Sequence, residues 1–192
     1  MPAHWSVGPV KRFLHSLDHH RIPLSTTERG VRQGTHPYYG ASGVIDFVDD
    51  YLFDEPLLLV SEDGANLLGR RTPIAFVAAG KYWVNNHAHI LKPIENEPPN
   101  FWAYRIETAS IAPFITGSAQ PKFTIEALMN MPITAPPTVT ERREIVAFLE
   151  HHCSKIDALI AKSTEMIETL REYRSALIAN AVTGKIDVRE AV

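Results

Sequence analysis

The residues from 118 to 122 place three kinds of polar group within one short loop. Ser118 supplies a hydroxyl, Gln120 an amide and Lys122 an ammonium group. An amide side chain of this type can hydrogen-bond two atoms of an adenine edge together, and an ammonium group suits a phosphate. The loop is therefore a candidate nucleic-acid contact, and the alternative is a polar surface loop shaped by Gly117 and Pro121.

Further candidates combine cations with aromatic and amide groups near expected turns. Arg70 and Arg71 follow a glycine. Paired arginines can hold a phosphate or contact a guanine edge, and a solvated loop without a partner is the alternative. One of Tyr38 and Tyr39 is expected to pack in the core with its hydroxyl satisfied locally. The full candidate set is Gln120, Lys122, Ser118, Arg70, Arg71, Lys81, Tyr82, Asn85, Tyr38 and Arg32.

His87 and His89 alternate along an expected strand, a spacing that suits two metal ligands on one strand face and so a metal-dependent enzyme. No cysteine or carboxylate lies nearby in the sequence, which favours a structural hydrogen-bond network instead. The chain also has no glycine-rich nucleotide-binding loop and no nucleophile-elbow context around Ser118. We therefore predict no catalytic residue, no metal and no cofactor.

Composition indicates an ordinary globular protein of 192 residues, with 45% hydrophobic and 21% charged residues. The net charge of −3 does not decide for or against nucleic-acid binding, because the electrostatic field that matters is local.

The lone Cys153 excludes an internal disulfide and a four-cysteine zinc site. No apolar run approaches the ~20 residues of a membrane span. No signal-peptide pattern is visible. The expected compartment is the cytoplasm, without a membrane partner.

The chain changes character at Pro136-Pro137, which predicts a boundary between residues 1–137 and residues 138–192. Beyond it there is no proline and one glycine, Gly184. Thr138 and Glu141 have the spacing of a capping box, and Gly184 suits a helix terminator. A helix from Val139 to Val182 would be about 65 Å long.

Apolar residues along this helix recur in alternating steps of four and three, which is the seam of a coiled coil. The seam residues, proposed for dimerisation, are Ile145, Leu149, His152, Ile156, Leu159, Ser163, Met166, Leu170, Tyr173 and Leu177. A second line at sevenfold spacing widens this face and predicts a further contact. The alternative is a core helix of a globular bundle, but no other segment is long enough to pair with it.

Residues 1–137 alternate short apolar runs with prolines and glycines, which predicts a mixed α and β domain. The spacing of Val10, Phe13, Leu14 and Leu17 predicts a short helix. Residues 81–91 are expected to form one strand. The remaining expected elements are strands at 44–48, 57–61 and 74–78, helices at 98–108 and 124–129, and an extended segment at 132–137.

Several sequence blocks resemble the specificity subunits of type I restriction–modification systems. The blocks are residues 37–43 (PYYGASG), 51–54 (YLFD), 62–67 (EDGANL), 83–90 (WVNNHAHI), 116–124 (TGSAQPKFT), the Pro136-Pro137 exit, the helix from Glu141 to Ile178 and the tail 182–186 (VTGKI). They occur in the order found in that family and cover nearly the whole chain. Family members carry two recognition domains and two conserved helices, whereas this chain has one of each.

The resemblance implies an α+β fold: a target-recognition domain in residues 1–137, then one long helix and tail in residues 138–192. It implies an antiparallel coiled coil with a partner, and docking of a methyltransferase subunit and, through it, a restriction subunit. The expected function is non-catalytic reading of double-stranded DNA. A homodimer would read a bipartite palindromic site and direct adenine methylation and cleavage by the partner subunits. The alternative is a truncated scaffold that binds or sequesters the methyltransferase subunit without reading DNA.

Overall fold

The computed structural model of the chain describes residues 2–117 and 119–190, where short strands and helices precede one long final helix. The elements in chain order are β1 (Ser6–Pro9), β2 (Leu14–Ser16), α1 (Thr26–Val31), β3 (Gln33–Gly40), β4 (Gly43–Val48), β5 (Phe53–Asp54), β6 (Leu57–Ser61), α2 (Asn66–Gly69), β7 (Ala75–Ala78), β8 (Lys81–Val84), β9 (Ala88–Pro93), α3 (Asn100–Glu107), α4 (Ile125–Asn130), β10 (Pro132–Ala135) and α5 (Val139–Val182). The chain divides into two units, Met1–Val146 and Ala147–Val192. The α+β fold class is confirmed.

Two four-stranded sheets form the centre of the first unit, in the orders β2-β9-β6-β7 and β4-β3-β8-β5. All their pairings are antiparallel except that of β3 with β8, which is parallel. β1 pairs with β10, so two segments of the first unit that are more than 120 residues apart, Ser6–Pro9 and Pro132–Ala135, meet in one ladder. The sheets bring together segments that are far apart in the sequence.

β6 is buried on both faces, which is why its five residues are nearly continuously apolar. Alternate side chains point to opposite faces of a strand. Leu58 and Val60 accordingly join the core beneath α3 and α4, which also contains Trp102. Leu57 and Leu59 join a second core formed with residues of β5, β8 and β9.

Two sequence predictions in this unit were wrong. Val10 and Leu14 are both fully buried, but they lie in a 3-10 turn and in β2 rather than in one helix. Leu14 pairs with Pro93 of β9, and this ladder replaces the helical hydrogen bonds. The single strand expected at 81–91 is two strands, β8 and β9, separated by a turn in which the Asn85 side chain accepts a hydrogen bond from the His87 N–H at 2.8 Å.

α5 begins and ends where the sequence predicted. The Thr138 hydroxyl accepts a hydrogen bond from the Glu141 N–H at 3.3 Å. The Glu141 carboxylate, however, accepts from the indole N–H of Trp5 at 2.9 Å, so its oxygens contact the N-terminal segment. Gly184 has φ of +72°, the left-handed conformation of a terminating glycine. Coiled-coil pairing of this helix stays a prediction. No helix among the described residues is long and apolar enough to cross a bilayer.

Candidate nucleic-acid interface

Three turns and one loop meet at one end of the two sheets, and we call this end the turn rim. It consists of the turn at residues 41–42, the turn at 62–64, the turn at 85–86 and the loop at 116–122. The contacts that hold it together are Ser61 Oγ donating to Ala41 O, Glu62 N to His87 O at 2.9 Å, Gly64 N to Pro121 O at 3.0 Å and Asn85 N to Tyr39 O at 3.0 Å. The rim therefore gathers turns that lie up to about 80 residues apart, as the strand pairing requires.

The loop at 116–122 closes on itself through its two end residues. Thr116 N donates to Lys122 O at 2.9 Å, and Lys122 N donates to Thr116 O at 2.7 Å. Gly117 has φ of +80°, and a Cβ at this position would lie 2.5 Å from the carbonyl oxygen of Gln120. Only glycine fits there without strain. The candidate Ser118 lies outside the described residues.

Gln120 and Lys122 are both exposed on this loop. The Lys122 ammonium lies 3.2 Å from a carboxylate oxygen of Glu62, and about half of its side chain stays accessible. The amide of Gln120 and the half-exposed cation of Lys122 are therefore presented together at the rim. These are the two groups that the sequence selected first for base and phosphate contact.

A buried ionic network supports the loop from below. His89, 1% exposed, contacts Asp18 through Nδ1 at 2.6 Å and the carbonyl oxygen of Phe123 through Nε2 at 2.8 Å. Arg21 bonds to Glu62 at 2.7 Å and to Asp18 at 3.1 Å. The network therefore joins the rim turn at 62–64 to the end of the loop at 116–122.

Both carboxylates of this network are held ionised. Burial, the largest effect, would raise the pKa of the Asp18 carboxyl, but the hydrogen bond and charge of His89 outweigh it and lower that pKa below its ordinary value. Burial would also raise the pKa of the Glu62 carboxyl. The hydrogen bond that Glu62 accepts from Arg21 and the charge of His89 outweigh burial, so the pKa of Glu62 is lowered overall.

Asp18, Glu62 and His89 place their ligand atoms within 4.8 Å of one another, a grouping that can also suit a metal ion. Arg21 contacts both carboxylates, and Lys122 contacts one of them. These two cations already supply the positive charge that a metal would bring. The structural network expected for His87 and His89 is present, since His87 Nδ1 lies 2.8 Å from Asp63.

Arg70 and Arg71, at the end of α2, differ in their surroundings. Arg70 has φ of +46° and donates to the carbonyl oxygens of Glu107 and Ala109 at 2.8 and 3.1 Å. These bonds join it to the end of α3. The Arg71 side chain is exposed beside this turn, and its backbone N–H donates to the side chain of Asn66 at 3.0 Å.

Tyr38, Tyr82 and Asn85 are buried. The Tyr38 hydroxyl accepts from the N–H of Leu24 at 2.9 Å, and the Tyr82 hydroxyl donates to the Glu55 carbonyl at 2.9 Å. Burial raises the pKa of Tyr82. These three side chains support strands and turns, so we do not include them in the contact surface proposed below.

Lys81 and Arg32 lie at the opposite end of the sheet from the turn rim. Lys81 opens β8 and places its ammonium 4.7 Å from the ring of Tyr51. Arg32 precedes β3, stacks 4.9 Å from the ring of Trp83 and pairs with Asp49 at 2.9 Å. Lys81 is four residues along the chain from the rim turn at 85–86, a distance of about 13 Å in a strand.

No sequence pattern identified Asp18, Arg21, Glu62 and His89 as one largely buried unit. Asp18 and His89 are 71 positions apart, so no local spacing connects them. One signal was available in the sequence. The block at 83–90 contains two histidines, and no neighbouring residue in the sequence could be their hydrogen-bond partner.

Comparisons with known proteins identify the family of this chain. The family described as "Type I restriction modification DNA specificity domain" matches residues 10–169. A curated Haemophilus influenzae protein that carries the name of a type I restriction enzyme specificity subunit is 31% identical over 157 residues, which is 82% of this chain and 38% of that protein. The chain belongs to the family of type I restriction–modification DNA specificity proteins, as its sequence blocks predicted. Specificity subunits are the non-catalytic subunits of these systems, in agreement with the prediction of no enzymatic activity.

Solved structures of the family share the fold. The S subunit of a type I restriction–modification system from M. genitalium has a TM-score of 0.64 at 14% identity, covering 97% of this chain and 47% of that one. The HsdS subunit from Thermoanaerobacter tengcongensis has a TM-score of 0.58 at 19% identity, covering 97% and 46%. The chain therefore spans less than half the length of the relatives it matches.

Proposed function

We propose that this chain reads double-stranded DNA through the turn rim, as a specificity subunit of a type I restriction–modification system. The observation that carries the proposal is the loop at 116–122, where Gln120 and Lys122 are exposed on a closed, glycine-shaped loop. An exposed amide can distinguish an adenine edge, and a half-exposed cation can bind a phosphate after exchanging its carboxylate partner. The exposed Arg71 and, at the far end of the sheet, Lys81 and Arg32 are proposed as phosphate contacts.

The test of this proposal separates base reading from phosphate binding. Selection from a random duplex library, with the chain bound to its methyltransferase subunit, defines the preferred sequence. We expect Gln120→Ala to relax one base position, at a cost of about 1–3 kcal/mol for the original base. Lys122→Gln should weaken binding to all sequences equally. It should also reduce the slope of log affinity against log salt concentration by about one.

Lys11→Gln is the matched control, because Lys11 lies in the 3-10 turn before β2 and bonds to Asn130 at 2.7 Å, outside the rim. If the chain binds the methyltransferase subunit but the resulting complex selects no DNA sequence, the proposal that the chain reads DNA is overturned. That outcome would support the alternative function, a scaffold that binds the methyltransferase subunit.

We further propose that two copies of the chain pair through α5. In the single chain, Ile156, Leu159, Met166, Leu170 and Tyr173 are each more than half exposed along one seam. Exposed apolar residues at heptad spacing are stabilised by a second helix. An antiparallel pair would relate two identical recognition units by a two-fold axis, so the site read would be bipartite and palindromic. The partner subunits would then methylate adenine and cleave.

Charge placed in the seam tests the pairing. Leu159→Asp removes an apolar side chain that is 65% exposed in the single chain and introduces a carboxylate at two positions of the dimer. Burying most of a leucine contributes about 1–2 kcal/mol, so the dimer constant should weaken by roughly 30-fold or more. Ala161→Asp adds the same charge about 200° around the helix and is the control. Equal dimerisation of both variants, measured by analytical ultracentrifugation, would contradict pairing through this seam.

A further inference from the structure

His89 lies between two hydrogen-bond acceptors. Its Nδ1 faces a carboxylate oxygen of Asp18 at 2.6 Å, and its Nε2 faces the carbonyl oxygen of Phe123 at 2.8 Å. A neutral imidazole donates from one nitrogen only, whereas an imidazolium donates from both. The carbonyl cannot donate, so the ring needs a proton on Nε2 in either case.

The second proton belongs on Nδ1 because Asp18 is an acceptor on both of its oxygens. Its Oδ1 accepts the N–H of Ile90 at 2.8 Å, and its Oδ2 lies 3.1 Å from the Arg21 guanidinium as well as next to His89. A protonated Asp18 would lose its attraction to Arg21. The geometry is therefore satisfied by a charged imidazolium facing an ionised carboxylate.

Two carboxylates face the ring. They are Asp18, from the 3-10 turn after β2, and Glu62, whose carboxylate is 3.7 Å from Nδ1, after β6. The partly buried Arg21 contacts both of these carboxylates. Lys122 contacts Glu62 from a half-exposed position, where solvent screens its charge.

The hydrogen bond from His89 Nε2 holds the end of the loop at 116–122. Phe123 directly follows Lys122, its side chain is fully buried, and its N–H donates to the Glu62 carbonyl at 2.7 Å. Its own carbonyl is held by His89. The exit of the loop is thus attached on both sides, and one attachment depends on the proton of a histidine.

We propose that His89 donates from both ring nitrogens and is a positioning residue for the end of the loop at 116–122, so that DNA reading depends on both hydrogen bonds. This inference depends on the proposed function for its DNA consequence, but not for the state of the ring. A side chain that cannot donate at both positions loses either the Asp18 or the Phe123 bond. The end of the loop then loosens, and the affinity for DNA falls.

The first measurement concerns the ring alone. Nitrogen-15 NMR of the imidazole in the wild-type chain should show a proton on both nitrogens of His89. A ring with a proton on one nitrogen only would overturn the proposal, whatever the chain does with DNA.

The second measurement connects the ring to the loop and to DNA. His89→Gln keeps one donor without a charge. We expect it to speed amide hydrogen exchange at Lys122 and Phe123 and to weaken binding to the selected duplex by roughly tenfold or more. His15→Gln, at an exposed histidine of β2 outside the rim, is the control and should retain wild-type exchange and wild-type affinity.

The outcomes distinguish the two proposals. If the wild-type chain selects no DNA sequence, the proposed function fails, while the ring and exchange measurements still decide the positioning role. A folded His89→Gln variant with wild-type exchange at Lys122 and Phe123 would overturn that role. If His89→Gln does not fold, the nitrogen-15 spectrum of the wild-type chain decides: a His89 ring without a proton on Nε2 would overturn the role.

Discussion

The buried ion pair between Arg142 and Glu97 joins the first turns of α5 to the recognition unit, and its removal should have a large cost. Both side chains are 2% exposed, and Arg142 Nε donates to Glu97 at 2.8 Å. Arg142 also donates to the Pro136 carbonyl at 2.9 Å and lies 5.4 Å from the ring centre of Trp102. Arg142→Met keeps most of the apolar packing but leaves the Glu97 charge buried without its cation, next to the Trp102 indole that donates to it at 3.0 Å.

Leaving one partner of a buried pair unpaired costs about 3–5 kcal/mol. The lost cation–π contact adds about 1 kcal/mol. A recognition unit of ordinary stability has about 5–15 kcal/mol in total, so Arg142→Met should remove roughly a third of it or more. Adding Glu97→Gln removes the orphaned charge and should recover part of the loss, which a double-mutant cycle measures directly.

The assay is urea unfolding followed by tryptophan fluorescence, because all three tryptophans lie in the first unit. The control is Lys92→Met, which breaks an ion pair with Glu55 whose side chains are 42% and 44% exposed. An exposed pair of this kind contributes about 0–1 kcal/mol. The reasoning is refuted if Arg142→Met costs no more than Lys92→Met, or if Glu97→Gln makes it worse.

Three further predictions concern the network, the loop and the helix. The pKa values of Asp18 and Glu62 lie below their ordinary 3.8 and 4.5 in the folded chain, so their contribution to stability is complete above about pH 4.5 and is lost as the pH falls through the lowered values. Asp18→Asn should therefore flatten the acid limb of a melting-temperature profile, and an unchanged limb would count against the network. Gly117→Ala should cost about 1–3 kcal/mol by strain and weaken DNA binding, whereas Gly69→Ala, where an added Cβ meets nothing within 4 Å, should be neutral or slightly stabilising in urea unfolding. Leu170→Asp should weaken dimerisation as expected for Leu159→Asp, without changing the melting of the first unit; a dimer as stable as the wild type in light scattering would contradict the seam.

α5 was predicted to the residue because its signals are local. A Pro-Pro stop, a capping threonine, heptad spacing and a terminal glycine lie within one continuous segment. Strand pairing in the recognition unit depends on contacts between distant segments. The parallel pairing of β3 with β8 and the division of residues 81–91 by the Asn85 turn have no comparable local signal.

The exposed loop residues of the candidate site were predicted from the sequence, whereas its buried contacts were not. Gln120 and Lys122 were selected because glycine and proline around them indicate an exposed loop, and both are exposed. Tyr38 and Tyr82 were selected for their polar ends, but the sequence does not reveal whether a hydroxyl finds its partner inside the fold. The network around His89 depends on residues brought together only by the sheets, so residue types alone could not predict it.

Sequencing of methylated DNA tests the central claim most directly. A host without its own type I methylation would carry this chain with its methyltransferase subunit, and a second host would carry the Gln120→Ala variant. The account predicts methylated adenines in one bipartite palindromic motif, with one base position in each half relaxed by the variant. An asymmetric motif, a single uninterrupted block or no motif at all would contradict it.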